Sequence, residues 1–222
     1  LHALRRRSEA STPRETRIEL EEYSHFGLLS RLLAGSAGLP FWPLKNYQGG
    51  DIAKVNDRIK SVTCPYTGEK IATVPALTPD VAIVHCQRAD AEGNAQVWGL
   101  MGSQKEVAFA AKKVIVVAEQ IVGNDVVRSD PNRTVVPGML VSHVVHEPFG
   151  CHPSYVQGFY DRDNDFYVAW DDISKTTESY ARYLDEWVYG VPDRAAYLKK
   201  MSALADKLRA KPRICEGVDY GY

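Results

Sequence analysis

The ten residues Asp80-Val81-Ala82-Ile83-Val84-His85-Cys86-Gln87-Arg88-Ala89 decide the fold. The apolar, partly β-branched run reads as a strand buried on both faces, the signature of a parallel sheet. Asp90, Gly93 and Asn94 follow at once and form a turn. The spacing then predicts a helix over residues 105–111 and a second buried strand over 114–118. Strand, loop, helix and strand at these separations make a βαβ unit with a right-handed crossover. A third strand is expected over about 140–147, followed by the loop Gly150-Cys151-His152-Pro153-Ser154. The whole reads as an α/β fold, an open, mostly parallel, doubly wound sheet. Ligands of such sheets gather in loops at the carboxyl ends of strands. Three loops qualify: 22–27, 90–96 and 149–154.

Upstream, residues 1–8 read as the end of a helix, and Arg17-Ile18-Glu19-Leu20 alternates as a short strand would. Ser24 is a good N-cap for a helix over 25–34. Phe26, Leu29, Leu32 and Leu33 recur at helical spacing and should form its buried stripe. Gly35 and Gly38 close it, and the chain leaves extended through Pro40 and Pro43. Residues 44–58 are polar and glycine-containing, as a surface loop is. Downstream, Tyr180, Tyr183, Leu184 and Trp187 form a helical apolar face, and a second helix is expected over 193–210. We therefore expect one domain over 1–222, with a helical tail over 174–210 packed on it.

Bulk properties remove several classes of function. Twenty-seven basic side chains oppose 28 acidic ones, for a formal net charge of -1. With no basic stripe, nucleic acid is not an expected partner. Apolar runs such as 114–118 are far too short to span a bilayer, so no membrane association is expected. The amino terminus is basic without an apolar stretch behind it, which does not read as a signal peptide. The four cysteines, Cys64, Cys86, Cys151 and Cys215, form no C-x-x-C pair; they are expected to be reduced thiols of a cytoplasmic protein. Among the six histidines, His143 and His146 are three apart on a strand and so face opposite ways. With no H-E-x-x-H, no metal site is expected. G-x-S-x-G, G-x-x-x-x-G-K-[ST] and G-x-G-x-x-G are absent as well.

Chemistry concentrates at Glu21-Glu22-Tyr23-Ser24-His25. A histidine in the first turn of a helix sits beside unpaired backbone N–H groups, a setting suited to an anion or a developing oxyanion. The plainer alternative is a capping serine followed by a surface histidine. Glu119, at the end of the 114–118 strand, has the chemistry of a base, although carboxylates at strand ends are often structural. His85, Gly93 and Asn94 read equally as the wall of a pocket or as a buried histidine and an ordinary turn.

Longer stretches resemble the A (alpha) subunit of the family I coenzyme A transferases, the glutaconate CoA-transferase type. They are Glu22-Tyr23-Ser24, Gly38-Leu39-Pro40-Phe41, the strand from Asp80 to His85 through Gly93 to Trp98-Gly99, Asp130-Pro131 and Val136-Pro137-Gly138-Met139. Gly150-Cys151-His152-Pro153-Ser154, Gly158-Phe159-Tyr160-Asp161, Asp163-Asn164, Ser174-Lys175-Thr176 and Glu186-Trp187-Val188 continue the series in the same order, over roughly 18–200.

The resemblance implies CoA transfer between an acyl-CoA, a dicarboxylic acyl-CoA among the candidates, and a carboxylic acid acceptor. The steps pass through an acyl-glutamyl anhydride and a glutamyl-CoA thioester. It places the nucleophilic glutamate on a B (beta) subunit, in an αβ dimer or (αβ)2 assembly. No cofactor is implied beyond coenzyme A as substrate. It points to His25 as oxyanion donor or base, to Glu22 as a second catalytic candidate, and to Ser24, Gly93, Asn94, Gly150 and His152 as substrate or CoA contacts. Two departures stand out. The family pattern begins with a further glycine-rich segment that has no counterpart here, and it carries glutamine where His25 stands. Histidine also donates a hydrogen bond but titrates near neutrality. A ring-opening acyl-CoA hydrolase of the same superfamily, with His25 or Glu22 activating water, is the second reading. A non-catalytic CoA or sugar-phosphate binding module is the third.

Overall fold

The computed structural model describes residues 18–210. His2, Cys215, the helix end expected over 1–8 and Arg17 lie outside the described residues. The described chain forms two compact units, one of residues Ile18–Gly150 and one beginning at Cys151.

The first unit opens without the expected strand: residues 18–24 carry no regular structure. Helix α1 (His25–Ser36) follows, capped by Ser24, then strand β1 (Phe41–Leu44). A short helix α2 (Ile52–Val55) leads to β2 (Lys60–Thr63) and β3 (Lys70–Pro75). These strands form an antiparallel sheet in the order β1-β3-β2. Its core of Leu44, Tyr47, Ile59, Ala72 and Val74 draws Leu44 and Tyr47 from residues 44–58 and Ile59 from the position that follows them. A segment that reads as polar loop thus contributes a buried aromatic.

Strands β4 (Ala82–Ala89), β5 (Ala95–Gln96), β6 (Val114–Ile121), β7 (Thr134–Val136) and β8 (Val141–His146) form the second sheet. Its order is β7-β5-β4-β6-β8. The β4–β6 and β6–β8 pairs are parallel, while β5 runs antiparallel to both β4 and β7. Helix α3 (Gln104–Ala110) is the crossover between β4 and β6, as the βαβ spacing required. A further helix, α4 (Asn124–Ser129), follows β6.

One face of this sheet is a dry core: Ala82, Val84, Cys86, Val114, Val116 and Ala118 pack with Ala108 of α3. Full burial of each valine contributes about 1.5–3 kcal/mol. The opposite face is only partly covered, since Ile83 is 70% exposed and Val145 41%. Burial of β4 on both faces, expected from its composition, therefore holds on one face. Composition reports hydrophobicity; it does not report which face a neighbouring element covers.

Helix α1 lies along α3. A Cβ on Gly35 would meet the Leu77 carbonyl oxygen at 2.3 Å and the Ala110 side chain at 3.2 Å. The carboxyl end of α1 thus sits beside that of α3. The buried stripe of α1 differs from the expected one. Gly27, Ser30, Leu32 and Ala34 are buried, whereas Phe26 is 51% exposed.

In the second unit, α5 (Asn164–Lys175) precedes the region where helices were expected. It is capped by Asp163 and followed by α6 (Thr177–Leu184) and a wide turn over Asp185–Tyr189. The helix expected over 193–210 is two, α7 (Arg194–Lys200) and α8 (Ser202–Leu208), broken at buried Met201. Trp170 meets Tyr183 edge-on at 5.4 Å, so α5 and α6 share an aromatic core that the α6 face alone could not close.

Candidate active site

Four backbone N–H groups at a helix start need partners outside the helix. At α1 two have them: Ser24 N–H donates to the Tyr47 hydroxyl oxygen (3.0 Å), and Gly27 N–H donates to Ser24 Oγ (3.0 Å). The N–H groups of His25 and Phe26 are left over. His25 is exposed, and its imidazole makes no hydrogen bond within the protein. One exposed side chain and two unpaired main-chain donors therefore belong to the first turn, at the positive end of a 12-residue helix.

The segment entering α1 is pinned. The Asn56 amide donates to the Glu22 carbonyl (2.8 Å), and Arg31 and Arg58 both pair with Glu21, at 3.3 and 2.6 Å. The Arg31 guanidinium also lies 4.5 Å from the Tyr23 ring centroid. Burial is the main reason the Tyr23 hydroxyl titrates above its ordinary range. The Glu22 side chain is exposed and unengaged, so it is the backbone of that residue that is held.

Ser24 is saturated rather than available. Its Oγ accepts from Gly27 N–H and from the Asn46 amide (3.0 Å), and its own hydrogen donates to Tyr47 (3.1 Å). Similarly, Asn94 faces inward. Its amide donates to Asp90 Oδ2 (2.8 Å), and its carbonyl oxygen accepts from Gly138 N–H (2.9 Å). Asp90 is 1% exposed and also accepts from Asn124 and from the backbone of Glu92 and Asn94. Burial opposes its charge, but these donors together hold its carboxyl below the ordinary range. Gly93 (φ 92°) has no substitute there, because a Cβ would meet Val141 at 2.7 Å.

At the next strand end, His85 Nε2 meets Glu119 Oε1 at 2.7 Å, and Phe149 N–H donates to Glu119 Oε2 at 2.8 Å. Glu119 is thus a buried carboxylate with both oxygens engaged. Gly150 packs over this pair; a Cβ there would lie 3.1 Å from His85 Cε1 and 2.8 Å from the Glu147 carbonyl oxygen. Burial, reinforced by the Glu119 charge, pushes the neighbouring Cys86 thiol up to about 12.

His152 belongs to the second unit, and both its ring nitrogens are engaged there. Nε2 meets Asp163 Oδ2 at 3.0 Å, Nδ1 meets the Tyr197 hydroxyl at 3.1 Å, and its side chain is 7% exposed. The structure therefore brings Glu22, Ser24 and His25 together, ties Gly93 to Asn94, sets Gly150 beside the His85–Glu119 pair, and holds His152 within its own unit. Sequence reasoning passed over Tyr47, Asn46 and Asn56, which carried no motif. Among the described residues, no cluster of His, Cys, Asp and Glu could hold a metal ion.

These features define an α/β domain built on a mixed sheet, with two main-chain donors left unpaired at the start of its capped first helix. Residues 7–147 match the model of the family described as Coenzyme A transferase, and the chain belongs to that family. It is 44% identical over 202 residues to the A subunit of 3-oxoadipate CoA-transferase from Pseudomonas knackmussii, covering 91% of this chain and 70% of the relative. To the A subunit of glutaconate CoA-transferase from Acidaminococcus fermentans it is 36% identical over 203 residues, covering 84% of this chain and 63% of the relative. The crystal structure of the Acidaminococcus enzyme superposes with a TM-score of 0.80 at 35% identity, over 86% of this chain and 66% of that one. The mixed α/β architecture and its helical carboxyl-terminal part are therefore those of glutaconate CoA-transferase.

Proposed function

We propose that this chain forms the A-subunit part of a heteromeric CoA transferase that moves CoA between a dicarboxylic acyl-CoA and a carboxylate acceptor. Relatives named for 3-oxoadipate and glutaconate, both dicarboxylic acids, support that substrate class. Both relatives are named as A subunits, which supports a B subunit for partner, in an αβ or (αβ)2 assembly. The observation that carries the reading is the donor set at the start of α1: exposed, unengaged His25 beside two unpaired N–H groups.

The chemistry needs such a set. A partner carboxylate attacks the thioester carbonyl and CoA thiolate leaves, giving a mixed anhydride. The thiolate then attacks the enzyme acyl carbon, the acid departs as carboxylate, and an enzyme thioester remains. An acceptor carboxylate reverses the sequence. Each attack places negative charge on a carbonyl oxygen, and fixed donors stabilise that charge without reorganising. In this reading His25 is the side-chain donor and Glu22 flanks it as a secondary candidate. Ser24 shapes the helix start, while Gly93, Asn94 and Gly150 shape the strand-end wall. His152 orders the second unit, and coenzyme A enters only as substrate.

The test is to purify the chain in complex with its partner subunit, then follow CoA transfer from succinyl-CoA to a second dicarboxylic acid. We expect no transfer by either chain alone, and a fall in kcat of about 10²–10³ for His25→Ala in the complex. Stoichiometric thioester hydrolysis without acceptor would establish the hydrolase instead, and full activity of His25→Ala would remove residue 25 from the site.

A further inference from the structure

The hydrogens at the start of α1 can be counted. Ser24 Oγ has two acceptor positions, filled by Gly27 N–H and the Asn46 amide, so its own hydrogen must be donated. Its remaining contact is the Tyr47 hydroxyl at 3.1 Å. The Tyr47 oxygen also receives Ser24 N–H at 3.0 Å, so it already accepts two hydrogens. The phenolic hydrogen of Tyr47 is then left without an acceptor in the protein.

This is unusual for a side chain that is only 4% exposed. A buried hydroxyl donor without a partner costs about 1–3 kcal/mol, so such hydrogens almost always find one. The hydroxyl is also held in place. A Cβ on Gly27 would lie 1.8 Å from it, so glycine at the third position of α1 is what admits the phenol. The same first turn carries the unpaired N–H groups of His25 and Phe26.

We propose that the Tyr47 hydroxyl is a further hydrogen-bond donor of this site and binds an anionic carboxyl-derived oxygen. The assignment rests on the reading of the site as the oxyanion end of a CoA transferase and adds a residue to it. The oxygen has two possible sources, the developing oxyanion of acyl transfer or the carboxylate of the bound acid. The groups facing the hydroxyl from α1 and from residue 46 are neutral. Lys60 and Lys70, which share a cavity of about 410 Å³ with Tyr47, are the charged groups on the three-stranded sheet beside it.

The experiment uses the complex with the partner subunit, carrying Tyr47→Phe or 3-fluorotyrosine at position 47. Fluorotyrosine leaves the phenol oxygen in place to accept its hydrogen bonds and makes the phenolic hydrogen more acidic. A donor must stay protonated, and fluorination therefore moves the loss of activity on the basic side to lower pH; lysines and other tyrosines are the same in both proteins. We expect that shift, together with a loss of about 10²-fold in Tyr47→Phe. A loss in kcat identifies the oxyanion as the bound oxygen, and a rise in KM for the acid identifies its carboxylate. An unmoved basic limb would overturn the assignment whatever Tyr47→Phe does, because the hydroxyl would then serve only as an acceptor bracing Ser24. If the unsubstituted complex transfers no CoA, the functional reading itself fails; if it does and the limb stays put, only the Tyr47 assignment fails.

Discussion

At residue 25 the backbone contributes as much as the side chain. Serine at position 24 takes up one orphan N–H of α1 and leaves two, so the first turn is both stabilised and open to a ligand. Ser24→Ala should cost about 1 kcal/mol through the lost cap, read by denaturant titration. The cysteines separate by the same local logic. Cys64 is partly exposed, and its thiol is held below its ordinary range, first by a hydrogen bond with the Thr67 side chain and then by the Tyr66 and Thr67 backbone. Cys86 is 1% exposed and pushed up to about 12. Thiolate is the reactive species. Iodoacetamide at neutral pH should therefore label Cys64 well before Cys86, as peptide mass spectrometry would show; equal labelling would mean that the sheet core opens readily.

Between elements, buried carboxylates do the joining. Asp90 binds the β4–β5 turn to Asn124 of α4, and through Asn94 reaches Gly138, the start of the segment leading into β8. Asp90→Ala should destabilise the first unit by roughly 2–4 kcal/mol, because the amides of Asn94 and Asn124 lose a charged acceptor. Its pKa is depressed in the folded state. The stabilisation is therefore complete above the unfolded carboxyl's value of about 3.9 and is lost as pH falls through the folded one. The Asp90→Ala variant should lose less stability than the parent on acidification below about pH 4, measured by thermal unfolding across that range. The sequence placed α1, β4, α3, β6 and β8 within a few residues, since each carries its own periodicity or cap. It passed over β2, β3 and α5. Lys60–Thr63 is exposed throughout, so no apolar alternation marks it, and its strand state comes from pairing with β3.

For the molecule as a whole, the two units hold their histidines differently. His25 is exposed and unengaged; His152 is 7% exposed and bonded to Asp163 and Tyr197. We expect His152→Ala to act on stability, by roughly 2–4 kcal/mol, since it leaves the Asp163 carboxylate buried beside an empty space. His25→Ala should act on kcat with stability unchanged. Denaturant curves and steady-state kinetics of the two variants, side by side, check the split; a stability loss at 25 with none at 152 would reverse the assignment. Exposed Phe26 and Leu28 flank His25, which suits a site completed by a second protein surface.

The sequence by itself determined the βαβ core, the capped helix that starts at residue 25, and the family, because periodicity, capping chemistry and ordered motifs are local and survive being read one residue at a time. Only the tertiary structure decided that Ser24 and Asn94 are saturated, that Glu119 is locked between His85 and Phe149, that one sheet face stays open, and that Tyr47 carries a hydrogen with nowhere in the protein to go. A hydrogen-bond count needs every donor and acceptor within about 3 Å, and partners separated by 22 to 44 positions along the chain meet only after folding.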